Sequence, residues 1–151
     1  MSTIEVGDLL YEYTTKVTGI TEYGVSFEAL MAGTVAPPPE GVRFDVSFDG
    51  LAKGSRLNGR VTGVDYLRVR ADGRFDLHIH AEIVPEDGSR ISLHADGIAT
   101  ARQNSSIVDL RENVTLFTSS KSYTWLNLLQ VWATGTVDLA EQVIHIHGYS
   151  A

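Results

Sequence analysis

ADGRFDLHIHAEIVPEDGSRISLHADGIA, residues 71–99, is the stretch whose reading decides the fold. Ala71-Asp72-Gly73 and Glu86-Asp87-Gly88 are turn signals, because Gly takes the positive φ that a tight hairpin turn requires. Between them residues 74–84 alternate with period two. Phe75, Leu77, Ile79, Ala81 and Ile83 fall on one face, and Asp76, His78, His80 and Glu82 on the other. The segment reads as a central strand between two hairpins, and residues 90–101 as its partner.

Working outward, short β-branched and aromatic runs separated by Gly, Asp, Asn and Pro recur along the whole chain. Further strands are expected at residues 9–18, 25–32, 44–48, 57–70, 114–118, 126–134 and 142–149. Gly59 or Gly63 could bend the long run at 57–70, and Pro37-Pro38-Pro39 breaks any ladder. YTWLNLLQV, residues 123–131, is assigned to strand, although Leu126, Leu129 and Gln130 would also suit a helical turn. No fixed-period repeat argues for a propeller or solenoid. The pattern predicts an all-β fold, residues 1–151 forming a single small antiparallel β-barrel of about eight strands. Closure leaves no exposed edges, and a barrel of this size has a ligand-sized lumen.

Twelve basic against nineteen acidic side chains give a net charge of −7, which disfavours nucleic acid and anionic membrane surfaces as partners. Without Cys there is no disulfide, thiolate nucleophile or thiolate metal site. The opening MSTIEVGDLL has neither the basic nor the long apolar region of a leader, and no apolar run reaches the roughly 18 residues of a membrane helix. A cytoplasmic location is expected.

Four of the five histidines form two His-x-His pairs, His78 with His80 and His145 with His147. On a strand such pairs share a face about 7 Å apart and could reach one metal ion, Zn or Fe, with Glu82 or Asp76 as a further ligand. A solvent-facing polar sheet face accounts for the same residues more plainly. If that face instead lines the lumen, a neutral His there could act as general base. His94 stands alone and carries little weight. Arg60, Tyr66 and Arg68 share one face of their strand and Asp65 the other, so a bulge at Gly63 would be needed to bring all four into one pocket. Tyr123, Trp125 and Asn127 at alternate positions would form an aromatic wall ending in an amide, or simply pack in the core. Nucleotide-binding glycine motifs and the Gly-x-Ser-x-Gly elbow are absent from the sequence.

Residues 54–99 of this pattern, with Gly59-Arg60, Asp65-Tyr66, the two Asp-Gly turns, Trp125-Leu126-Asn127 and the closing VIHIHGY, resemble the DUF3237 (UPF0311) family over residues 41–149. The resemblance implies a barrel similar to allene oxide cyclase and lipocalin-like folds, with a polar-lined interior. Arg60, Asp65, Tyr66, Trp125 and Asn127 match family positions. His78 and His80 stand where relatives tend to carry Asp-x-Arg, which favours placing them in the lumen.

The leading expectation is a cofactor-independent enzyme, an isomerase, cyclase or lyase, acting on a small, largely apolar organic molecule in the lumen. His78 or His80 would be the base, Asp65 or Glu82 its partner, and Arg60 or Asn127 the group that stabilises negative charge. Tyr66, Tyr123, Trp125, His145 and His147 would contact the ligand. The alternatives are a non-catalytic lipocalin-like binding protein and a metalloprotein using His78, His80, His145 and His147. Homo-oligomerisation is also expected, since a polar lumen would leave Phe75, Leu77 and Ile79 facing outward.

Overall fold

The computed structural model describes residues 5–151; Met1–Ile4, part of the amino-terminal stretch read above for a leader, lie outside the described residues. Eight antiparallel strands close into an up-and-down barrel in chain order: β1 (Leu9–Glu22), β2 (Val42–Lys53), β3 (Gly59–Val69), β4 (Phe75–Val84), β5 (Ile91–Ala101), β6 (Ile107–Phe117), β7 (Val131–Asp138) and β8 (Val143–Ser150). β8 pairs with β1 to complete the ring. The two hairpins around β4 form as expected, with Gly73 and Gly88 at φ of 89° and 83° in their turns.

One of the expected strands is a helix, and so is the start of another. Residues 25–32 hold α1 (Phe27–Met31), where the Ser26 side chain accepts the Ala29 amide at 3.2 Å and Glu28 sits in the first turn. Good helix formers behind an N-cap outweigh the β-branched Val25. Within residues 123–131 the chain forms a 3₁₀ helix, Lys121–Leu128, and β7 begins only at Val131. The strands expected at 44–48 and 114–118 are each longer than their apolar runs, because their outward positions are polar: Arg43, Asp45 and Asp49 on β2, Asp109, Arg111 and Asn113 on β6.

The apolar face of every strand points inward. Phe75, Leu77, Ile79 and Ile83 of β4 are buried, while His78 and His80 are exposed on the outside. This corrects the polar-lumen expectation for His78 and His80, and removes the reason given for self-association. Burying four large apolar side chains is worth about 1.5–3 kcal/mol each, whereas a row of Asp, His and Glu would have to be desolvated. The charged-out, apolar-in alternation is the reverse of a barrel whose outer wall meets lipid. No helix among the described residues is long and apolar enough to cross a membrane.

The two ends of the barrel differ. Tyr11, Leu57, Ile83, Ile91, Val114 and Val131 are fully buried at the end where β1 and β5 begin, and Leu126 of the 3₁₀ helix plugs it. At the other end, beside the β1–β2 connection that holds α1, the packing is looser.

Candidate functional site

At this second end the lumen opens into a cavity of about 70 Å³, several times the roughly 10–15 Å³ that one water requires. Val17, Ile20, Leu139 and Gln142 surround its mouth, and Phe27 of α1 reaches into it. Phe27 is fixed edge-on against Phe44, ring centres 5.0 Å apart. The deepest lining residues of their strands, Tyr13, Phe48, Asp65, Ile79 and Glu112, make the floor. Among the lining residues Asp65 and Glu112 alone can carry charge as carboxylates.

Glu112 is only 5% exposed, and neither carboxyl oxygen has a hydrogen-bond partner among the described residues. Its neighbours in register are Gly97 on β5 and Ala133 on β7, so both flanking inward positions are small and the carboxyl has room. Burial pushes the Glu112 carboxyl up to about 8, and the charge of Asp65 adds to the shift. Asp65 lies on the inward face of β3. The β3–β4 ladder skips Tyr66 and Leu67, and where it opens an Asp65 oxygen accepts the amide of His78 at 3.0 Å. Burial lifts Asp65 to about 6 even though that hydrogen bond favours the charged form. Tyr13, and Tyr11 beneath it, are held well above the usual phenol range, first by burial and then by Glu112. The floor therefore presents one carboxyl that is protonated at neutral pH, one that is largely ionised, and a protonated phenol.

The other residues singled out in the sequence lie outside this cavity. Arg60 points outward and is paired with Asp49 (3.0 Å from Nε to Oδ1), and Glu82 pairs with Arg90 at 2.7 Å. The β2–β3 and β3–β4 pairings run through Gly63 in constant register, so no bulge turns Arg60, Tyr66 or Arg68 towards Asp65. Asn127 clasps the backbone of Thr118, accepting its amide at 2.9 Å and donating to its carbonyl at 2.8 Å. Trp125 donates to the Ser122 carbonyl at 3.1 Å and lies under the Arg56 guanidinium, 3.7 Å from the ring centre. Tyr123 packs half-buried in the same 3₁₀ helix. These side chains build a corner at the packed end and are not an aromatic wall on a strand.

The two His-x-His pairs do not meet. His145 and His147 stand on β8, where they contact Thr14 (Oγ1 to Nδ1, 3.0 Å) and Glu12 (3.2 Å) of β1. His78 and His80 stand on β4, which neighbours β3 and β5 only. The four-histidine metal set is thereby corrected. Instead His94 of β5, opposite His80 in register, joins His78 and His80, with one ring nitrogen from each all within 4.8 Å of one another.

Sequence reasoning missed Glu112 and discounted His94. The hairpin turn at Asp87 was a usable signal for His94: a turn centred on residue 87 pairs 80 with 94. For Glu112 the period-two pattern Val108, Leu110, Glu112, Val114, Leu116 places it inward, but only once β6 is extended back to Ile107.

Together these features define a small closed barrel with an apolar lumen, open at one end and floored by two carboxyl groups with unequal proton affinity. The chain belongs to the DUF3237 family, proteins of unknown function, whose pattern it matches over residues 22–149. Similar structures include a β-barrel-like protein from Acinetobacter baumannii AYE, with 18% identity, a TM-score of 0.74, and coverage of 99% of this chain and 97% of that one. A conserved protein of unknown function from Rhodopseudomonas palustris has 16% identity and a TM-score of 0.77, each chain 99% covered. An enzyme from Penicillium herquei has 21% identity and a TM-score of 0.61, with 99% of this chain and 98% of that one covered. Curated proteins include no match to this sequence.

Proposed function

We propose that the lumen binds a small, largely apolar organic molecule and catalyses a cofactor-independent proton-transfer reaction, of the isomerase, cyclase or lyase kind, with Asp65 as base and Glu112 as acid. The observation that carries this reading is the pair of carboxyl groups on the floor of an otherwise apolar cavity, with affinities pushed to about 6 and about 8. Two like groups whose environments separate their proton affinities are suited to opposite roles in one reaction. Leaving the buried Glu112 carboxyl without a partner among the described residues opposes folding, a cost that a functional role accounts for. The enzyme from Penicillium herquei, of the same fold, supports a catalytic reading by analogy.

In this scheme the Asp65 carboxylate takes a proton from a hydroxyl or from a carbon next to a carbonyl. Glu112 delivers its own proton to the atom where negative charge develops. Asp65 is left neutral and Glu112 ionised, and water at the open end restores both. Tyr13 offers a protonated hydroxyl at the same level, and the apolar wall excludes bulk water, which strengthens each of these interactions.

Small cyclic ketones and phenols can be screened for binding by saturation-transfer NMR, then followed for hydrogen exchange in D2O. Wild-type protein is expected to label a bound ketone at the carbon next to its carbonyl. Asp65→Asn should bind within about threefold of wild type but exchange at least about 100-fold more slowly, the usual scale of a lost general base. Ligands that bind wild type without any exchange would reduce the protein to a carrier.

A further inference from the structure

We propose that His78, His80 and His94 form a binding site for one first-row divalent metal ion, Zn in the first instance, on the outer face of the barrel. The site is separate from the lumen and uses a different set of side chains from the proton-transfer scheme.

Strand geometry places the three residues together. His78 and His80 are two apart on the outward face of β4, and His94 faces outward on β5 directly opposite His80. The rings lean inward upon one another. His78 and His80 stack with centres 5.2 Å apart, and His94 stands edge-on to both, at 5.4 Å and 5.0 Å. The Nε2 atoms of His78 and His80 are 3.3 Å apart. That is the edge of a tetrahedron whose metal–nitrogen bonds are about 2.0–2.1 Å, namely about 3.3–3.4 Å. With the third nitrogen no more than 4.8 Å from either, small χ rotations complete the triangle.

The donor set selects the metal. Three imidazoles without a carboxylate among them suit Zn, Cu or Ni rather than Ca or Mg, which take oxygen ligands. Tyr66 braces the site, its ring edge-on to His80 at 5.7 Å. Asp96 lies opposite His78 and beside His94 on the outer face, held by the Asn113 side-chain amide at 3.1 Å, and adds negative charge next to the cation. His78 and His80 are exposed, so the fourth vertex faces solvent and would hold water or a small anion. A bound ion would also secure β4 to β5 beside the gap in the β3–β4 ladder, where the His78 amide is held by Asp65.

The test is isothermal titration of ZnCl2 into tag-free, chelator-treated full-length protein. One equivalent should bind to wild type, and His80→Ala and His94→Ala should each weaken it by at least about tenfold. His145→Ala, on the far side of the barrel, should change it less than about twofold. Imidazole 1H–15N spectra of wild type with and without Zn provide a readout independent of the variants' folding, and the ring signals of His78, His80 and His94 should shift together. Absence of stoichiometric binding to wild type, equal weakening by His145→Ala, or unmoved ring signals of these three residues would overturn the proposal.

Discussion

At the residue scale the molecule turns on Glu112. An isolated carboxyl inside an apolar barrel binds its proton more tightly than it would in the unfolded chain, and Asp65 does so to a lesser degree. Between the unfolded and folded affinities the native state therefore holds more protons, and stability falls as pH rises. The window runs from about 4 for Asp65 to about 8 for Glu112. Melting followed by circular dichroism should show Tm decreasing across that range. Glu112→Gln should flatten the upper part of the curve and raise Tm at pH 8.5 by roughly 5–10 °C, given that 1 kcal/mol moves a domain of this size by about 2–4 °C. A Tm that is flat between pH 5 and 8 would mean that Glu112 is solvated. The sequence made Asp65 visible, because alternation along β3 separates it from Arg60 and Tyr66. It concealed Glu112, because the polar residues Asp109, Arg111 and Asn113 on the outer face of β6 make the strand look like a loop. His78 and His80 were recognised as a pair but assigned to the wrong side of the wall. Resemblance outweighed the simpler argument that Phe75, Leu77 and Ile79 must be the buried face.

At the scale of elements, the hairpins were legible from Gly-containing turns and period-two patterns, α1 was not, and the 3₁₀ helix was visible only as an alternative to a strand. In α1 the decisive contact is the Ser26 cap, with the Glu22 carboxylate also accepting the Phe27 amide at 2.6 Å. These local hydrogen bonds leave little trace in an apolar pattern of only a few residues. In the 3₁₀ helix the alternation of Tyr123, Trp125 and Asn127 imitates a strand, yet the Trp125 indole is satisfied three residues back and Asn127 replaces a missing strand partner for Thr118. Asn127 is thus a clasp for the β6 corner, remote from the lumen chemistry. Asn127→Ala should destabilise the protein by about 1–3 kcal/mol, the cost of leaving buried backbone groups unpaired. It should leave lumen binding at 10 °C unchanged. Chemical denaturation together with the saturation-transfer assay checks both, and lost ligand binding in folded Asn127→Ala protein would return this residue to the site.

For the whole molecule, asymmetry between the two ends links fold to function. One end is packed by Tyr11, Leu57, Ile83 and Leu126, while the other leaves a cavity that narrows to the Tyr13, Asp65 and Glu112 floor. Small residues at Gly97 and Ala133 keep the middle of the barrel from filling. The outer wall carries the ion pairs and the three-histidine cluster, so the two chemistries lie on opposite faces of the barrel wall, the carboxyls on β3 and β6 and the histidines on β4 and β5, and they meet at His78, whose ring is outside and whose amide bonds Asp65. The central claim is that the lumen floor holds two carboxyl groups poised for acid–base work near neutral pH. Side-chain carboxyl 13C shifts of Asp65 and Glu112, followed by NMR from pH 3 to 10, test it most directly. The account predicts midpoints near 6 for Asp65 and near 8 for Glu112. Titration of both groups at about 4, as in an unfolded chain, would contradict it.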